Sequence, residues 1–127
     1  MRVALDTNAY RAAADGEAKA RGILRRAESI VVPFVVLGEL RAGFAAGSLG
    51  KRNEAKLTEF LASPRVEVLL ADEQTTHHYA TLFAQLRVQG TPIPSNDLWI
   101  AALLVEHDLP ILSQDRHFSH LPQILVL

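Results

Sequence analysis

The sequence predicts an α/β domain, with a central, mostly parallel β-sheet flanked by helices on both faces. Three observations support this. Short β-branched or leucine-rich runs recur along the chain, amphipathic helical patterns separate them, and the runs end at breakers or charges. Strands that alternate with helices need crossover connections, and crossovers cover both faces of a parallel sheet. At 127 residues the chain is the size of one domain, so residues 1–127 are expected to form a single unit.

The expected strands are Val3–Leu5, ending at Asp6; Ile30–Val32, ending at Pro33; Val66–Leu70; Ile111–Leu112; and a closing Ile124–Leu127, each short enough to be buried. Helical patterns lie between them. Glu17–Ala27 places Ala20, Ile23, Leu24 and Ala27 on one face. Pro33 suits a first helical turn because its missing N–H has no partner there, and Phe34–Ala46 continues to a stop at Gly47. Glu54–Ala62 carries Leu57, Phe60 and Leu61 before Pro64. Asp72 is a candidate N-cap for a helix with Tyr79, Leu82, Phe83 and Leu86 inward, ended by Gly90. Ser95 precedes a last, strongly apolar helix from Trp99 to Glu106, in which Trp99 is expected to be core rather than a base-stacking platform.

Composition narrows the function. With 49% hydrophobic and 21% charged residues the chain has the makings of a packed core. It has no cysteine, which excludes disulfides and thiolate metal sites and fits a reducing cytoplasm. No stretch reads as a signal peptide or a membrane span, so a soluble cytoplasmic protein is expected. The net charge of −1 carries no basic footprint for nucleic acid. If four of the 14 acids are committed to a metal site, however, ten remain against 13 bases.

Four acids stand out by position. Open parallel sheets bind ligands outside the carboxyl ends of their strands. Asp6 follows the first strand, and Asp115 follows Ile111–Leu112 after Ser113 and Gln114. Glu39 lies among apolar residues in the helix after the second strand, and Asp97 lies in the first turn of the last helix, where the helix dipole favours an acid. Each has an ordinary reading alone. Asp6 can terminate a strand, Glu39 can pair with Arg41 or Lys51, Asp97 can be a plain helix-start acid, and Asp115 can sit in a surface turn. Together they fall on one edge of the sheet. Two carboxylates about 5 Å apart at an effective dielectric near 20 repel by about 3 kcal/mol. Four of them therefore call for protonation or a cation, and oxygen donors suit Mg²⁺ or Mn²⁺.

Leu5-Asp6-Thr7-Asn8-Ala9-Tyr10, Gly38-Glu39-Leu40-Arg41-Ala42-Gly43, Ser95-Asn96-Asp97-Leu98-Trp99-Ile100-Ala101-Ala102 and Leu112-Ser113-Gln114-Asp115, followed by Phe118, resemble the ordered acidic motifs of PIN domains. The similarity is strongest to the VapC toxins of toxin–antitoxin pairs. The stretch from Gly47 to Leu86 carries no family motif. The resemblance implies an endoribonuclease that hydrolyses RNA phosphodiester bonds by a metal-activated water. Mg²⁺ or Mn²⁺ would be held mainly by Asp6 and Asp97, with Glu39 and Asp115 completing the pocket directly or through water. It also implies a VapB-like antitoxin and a homodimer. Ser113 stands where the family often has threonine and keeps the hydroxyl.

Thr7 and Asn8 are expected to brace Asp6 or cap the next segment, Asn8 by local backbone bonding. Arg116, Arg41 and Arg11 are candidate RNA-phosphate contacts, as are Arg25 and Arg26. The histidines form no zinc set: His77 and His78 diverge on a helix, and His117 with His120 lacks further ligands. Two other functions compete. One is a non-catalytic RNA- or protein-binding module. The other is a phosphatase with Asp6 as nucleophile, a chemistry that prefers a second Asp where this chain has Asn8.

Overall fold

The computed structural model describes residues 1–127. Its elements run β1 (Arg2–Leu5), α1 (Thr7–Ala14), α2 (Ala18–Arg26), β2 (Ser29–Pro33), α3 (Phe34–Ala46), α4 (Gly50–Leu61), β3 (Val66–Leu69), α5 (Glu73–Gln89), α6 (Ser95–Glu106), β4 (Ile111–Leu112) and a 3-10 helix (Arg116–His120). Two helices separate each strand from the next. Parallel pairing requires such returns, because each must bring the chain back to the same end of the sheet.

The strand order is β3-β2-β1-β4, and every neighbouring pair is parallel. Val3 lies beside Ile30, and Ala4 lies between Val31 and Ile111. In the two central strands, Val3, Ala4 and Leu5 and Ile30, Val31 and Val32 are all buried, so both faces of the pleat are covered. Every element contributes side chains to the core, β3 only through the partly buried Val66 and Leu69. From β1 the chain steps to β2 and β3 in one direction, and then β4 adds on the opposite side of β1. The order reverses between β1 and β4. The crevice outside their carboxyl ends is the place where such sheets receive ligands.

Local chemistry sets the helix ends. Asp72 and Thr75 form a capping box at the start of α5, each side chain accepting the other's backbone N–H. Gly90 closes that helix at φ +74, a left-handed conformation that costs glycine nothing. The Arg65 guanidinium donates to the carbonyls of Leu24 (3.2 Å) and Ala27 (2.6 Å), satisfying orphan acceptors where α2 ends.

Several expectations change. The expected buried strand Val66–Leu70 is instead the edge strand β3, ending at Leu69, with Val68 41% and Leu70 69% exposed, because only β2 flanks it. The expected strand Ile124–Leu127 shrinks to one bridge between Ile111 and Val126, since β4 offers only two residues to pair with. Pro33 ends β2 and caps α3 instead of entering its first turn. In α5, Leu82 and Leu86 are buried but Phe83 is 52% exposed. Trp99 is half-buried and packs on Tyr79, ring centroids 4.1 Å apart, between α5 and α6. Helix α1 and the 3-10 helix are additional to the expected elements. No helix is long and apolar enough to cross a membrane.

Phe118, in the 3-10 helix, is fully buried. Phe118→Ala is expected to destabilise the fold by about 3–5 kcal/mol, the usual cost of emptying an aromatic site. Urea unfolding should show a lower midpoint at unchanged slope.

A candidate acidic metal centre

The chain leaves β1 at Asp6 and turns at once into α1, and Asp6 makes that turn possible. Its Oδ1 accepts the Ala9 N–H at 2.8 Å as the N-cap of α1. Its Oδ2 accepts a short hydrogen bond from the Ser113 hydroxyl, which arrives from the end of β4. Ser113 in turn accepts the Asp115 N–H at 2.9 Å, and Asp115 caps the 3-10 helix by accepting the His117 N–H at 2.9 Å. Two acids therefore begin helical turns at adjacent strand ends, joined by one hydroxyl.

The other two acids come from helices. Glu39, on α3, accepts from the Thr7 hydroxyl at 2.8 Å. Asp97, in the first turn of α6, lies 2.7 Å from His117 Nδ1, and the same nitrogen lies 2.9 Å from Asp115 Oδ1. One cleft of about 360 Å³ is lined by Asp6, Glu39, Asp97 and Asp115 together with Thr7, Asn8, Arg11 and Ala42. All four acids singled out in the sequence converge there.

Burial and crowding raise the pKa of two of them, Asp6 and Asp97. Asp6 is 5% exposed. Its pKa is raised from the ordinary 3.8, mainly by burial, and further by Asp115 and Glu39, against the opposing bonds from Ser113 and Ala9. Asp97 is raised from 3.8 in the same way, by burial first and then by Asp115 and Glu39, while the bond and charge of His117 pull the other way. A site that penalises its own anions and presents mainly hard carboxylate oxygens fits a divalent cation of the Mg²⁺ or Mn²⁺ kind. Asp97, Asp115 and His117 also place one donor atom each within 4.8 Å of one another.

The sequence gives His117 no role beyond an incomplete zinc pair with His120. Its partners are carboxylates instead. The available signal was its position two residues beyond Asp115, where a capped turn returns the side chain to the capping acid. Thr7 braces Glu39, not Asp6. Asn8 is exposed and makes no backbone bond, because Asp6 itself is the cap. Arg11 reaches the cleft. Arg41 pairs with Glu54 at 2.8 Å across α3 and α4, and Arg116 is exposed on the 3-10 helix; neither lines the cleft.

Comparison with known proteins agrees with this geometry. The family model for the PIN domain matches residues 3–124. The chain belongs to the PIN-domain family. Ribonuclease VapC4 of Mycobacterium tuberculosis is 35% identical over 96 residues, covering 76% of this chain and 74% of that protein. Ribonuclease VapC5 of the same organism is 28% identical over 117 residues, covering 92% and 85%. Among solved structures, the DNA-bound VapBC of Salmonella typhimurium superposes on this PIN domain with TM-score 0.88 at 25% identity, covering 100% of this chain and 97% of that one. VapBC-5 of M. tuberculosis gives 0.78 at 27%, covering 99% and 97%.

An acid whose pKa rises on folding binds more protons in the native state than in the unfolded one. Without metal, stability should therefore fall as pH climbs from 3.8 through the raised values of Asp6 and Asp97. The penalty is complete once both carboxyls are ionised. Asp6→Asn, which keeps a good N-cap, is expected to raise the melting temperature in EDTA at pH 7.5 and to lose most of this gain at pH 4. The wild type alone should gain a large further rise from millimolar Mn²⁺ or Mg²⁺. Thermal melts at the two pH values, with and without metal, check both.

Proposed function

We propose that this PIN domain is a divalent-metal-dependent endoribonuclease, with Mg²⁺ or Mn²⁺ as the ion, and that it is the toxin of a toxin–antitoxin pair. The observation that carries the reading is the convergence of Asp6, Glu39, Asp97 and Asp115 in one cleft at the β1/β4 reversal. It is supported by relatives named as VapC ribonucleases and by solved neighbours that are VapBC complexes. A VapB-like antitoxin is the corresponding partner, a homodimer the corresponding assembly, and the bacterial cytoplasm the corresponding compartment. Residues 1–127 would act as one domain.

In this reading Asp6 and Asp97, the two acids with raised pKa, hold the cation, and Glu39 and Asp115 complete its surroundings. A divalent ion there supplies charge neutralisation at the phosphodiester and lowers the pKa of water. The protein's own part is positioning. Ser113 and the Ala9 N–H orient the Asp6 carboxylate, Thr7 orients Glu39, and His117 spans Asp97 and Asp115. No side-chain nucleophile is needed, which suits a cleft whose reactive groups are all carboxylates. The partial burial of Asp6 and Asp97 keeps the effective dielectric low where charge develops.

Asp6→Asn and Asp97→Asn should each lower RNA cleavage by about 10²-fold or more, the scale seen when one preorganised electrostatic group is removed. The circular dichroism spectrum should stay native. Chelation should abolish cleavage by the wild type, and Mg²⁺ or Mn²⁺ should restore it. Undiminished cleavage by a rigorously purified Asp6→Asn protein would overturn the proposal.

A further inference from the structure

A second groove adjoins the acidic cleft and shares Arg11 with it. It lies among α1, α3 and α4, and its charged walls are Arg11 from α1 and Arg52 and Lys56 from α4. Arg52 and Lys56 are four residues apart on one helix and therefore share a face. All three cations are exposed, and none takes part in an ion pair or a side-chain hydrogen bond. Arg2 and Arg41, by contrast, are paired with Glu67 and Glu54. Asp15 is the one acid that lines the groove. Gathering unpaired like charges in a concavity does nothing for folding, since they repel one another.

Gly43 marks where the flexible end of the Arg11 side chain lies. A Cβ built on this α3 residue would come within 2.9 Å of an Arg11 guanidinium nitrogen. The bare backbone thus provides the space in which the Arg11 head lies across α3, at the junction of the two depressions. An acidic cleft alone repels a polyanion, and even a bound divalent ion offsets only part of four carboxylates. A cationic track beside it supplies the missing attraction.

We propose that the Arg11–Arg52–Lys56 groove seats backbone phosphates of the RNA strand next to the bond being cut, with Arg11 nearest the acids. The inference rests on the ribonuclease reading above and adds the substrate's path. Contacts of this kind hold and orient a strand without reading its sequence. They also leave a characteristic mark, because each phosphate contact on a single strand contributes about 0.7 to the slope of log affinity against log salt.

The test uses the full chain carrying Asp6→Asn, so that RNA survives, and a fluorescein-labelled 12-nucleotide oligouridylate in Mg²⁺. Anisotropy titrations across a salt series give the slope. Adding Arg52→Ala and Lys56→Ala together should make it shallower by about 1.4, from two lost contacts. Arg87→Ala, on α5 outside the groove, should leave it in place. An unmoved slope in the double variant, an equal loss with Arg87→Ala, or no binding by the parent would overturn the proposal. So would an unmoved RNA slope accompanied by lost binding of an oligoglutamate peptide, which would assign the groove to a protein segment. Binding is read without cleavage. A wild type that never cuts RNA while the groove behaves as expected therefore defeats only the nuclease reading, and one that cuts with the slope unmoved defeats only the groove.

Discussion

Like-charge crowding is the constraint around which this structure is arranged. Parallel strands all point their carboxyl ends the same way, so the acids that follow β1 and β4 meet at the reversal of strand order. Two helices deliver Glu39 and Asp97 to the same point. Coulomb repulsion opposes that assembly, and each acid is held against it by a donor. The Ala9 N–H and the Ser113 hydroxyl hold Asp6, Thr7 holds Glu39, and His117 lies between Asp97 and Asp115. Most of these donors come from a different segment than the acid they restrain, so the site and the tertiary fold are one problem. A buried carboxylate that is penalised when ionised is poor construction for stability and good construction for capturing a counter-ion.

Much of the fold was legible because burial leaves a periodic trace. Helix α3 begins and ends where Pro33 and Gly47 bracket an apolar stretch, and the capping box at Asp72 and the left-handed Gly90 delimit α5. Helix α1 was not legible. Its stripe is mostly alanine, with Ala9 and Tyr10 the buried members, and Asp6, expected to terminate β1, is also the cap that starts the helix. Phe83 shows the limit of helical spacing. It shares a stripe with Leu82 and Leu86, yet faces a shallow apolar depression beside Ile93 and Leu98 rather than the core. Asp6, Asp97 and Asp115 were legible from their placement at element ends, and Glu39 from its apolar surroundings within α3. Their braces were not, because a bond such as Ser113 to Asp6 joins residues 107 positions apart and leaves no local pattern.

The near-zero net charge conceals a segregated surface. Four of the 14 acids line one cleft, unpaired cations line the groove beside it, and Arg11 belongs to both. Summed over the chain these cancel, which is why total charge was uninformative about a polyanionic ligand. Distribution carries the information that the sum discards.

The bond between Ser113 and Asp6 also bears on timing. Synthesis runs from β1 toward β4, so β1 and β2 leave the ribosome before β4 exists to flank β1 on its other side. During that interval Asp6 lacks its hydroxyl partner, Asp115 does not yet exist, and His117 cannot bridge to Asp97. The acidic cleft is therefore complete only when the last strand of the sheet is in place beside β1.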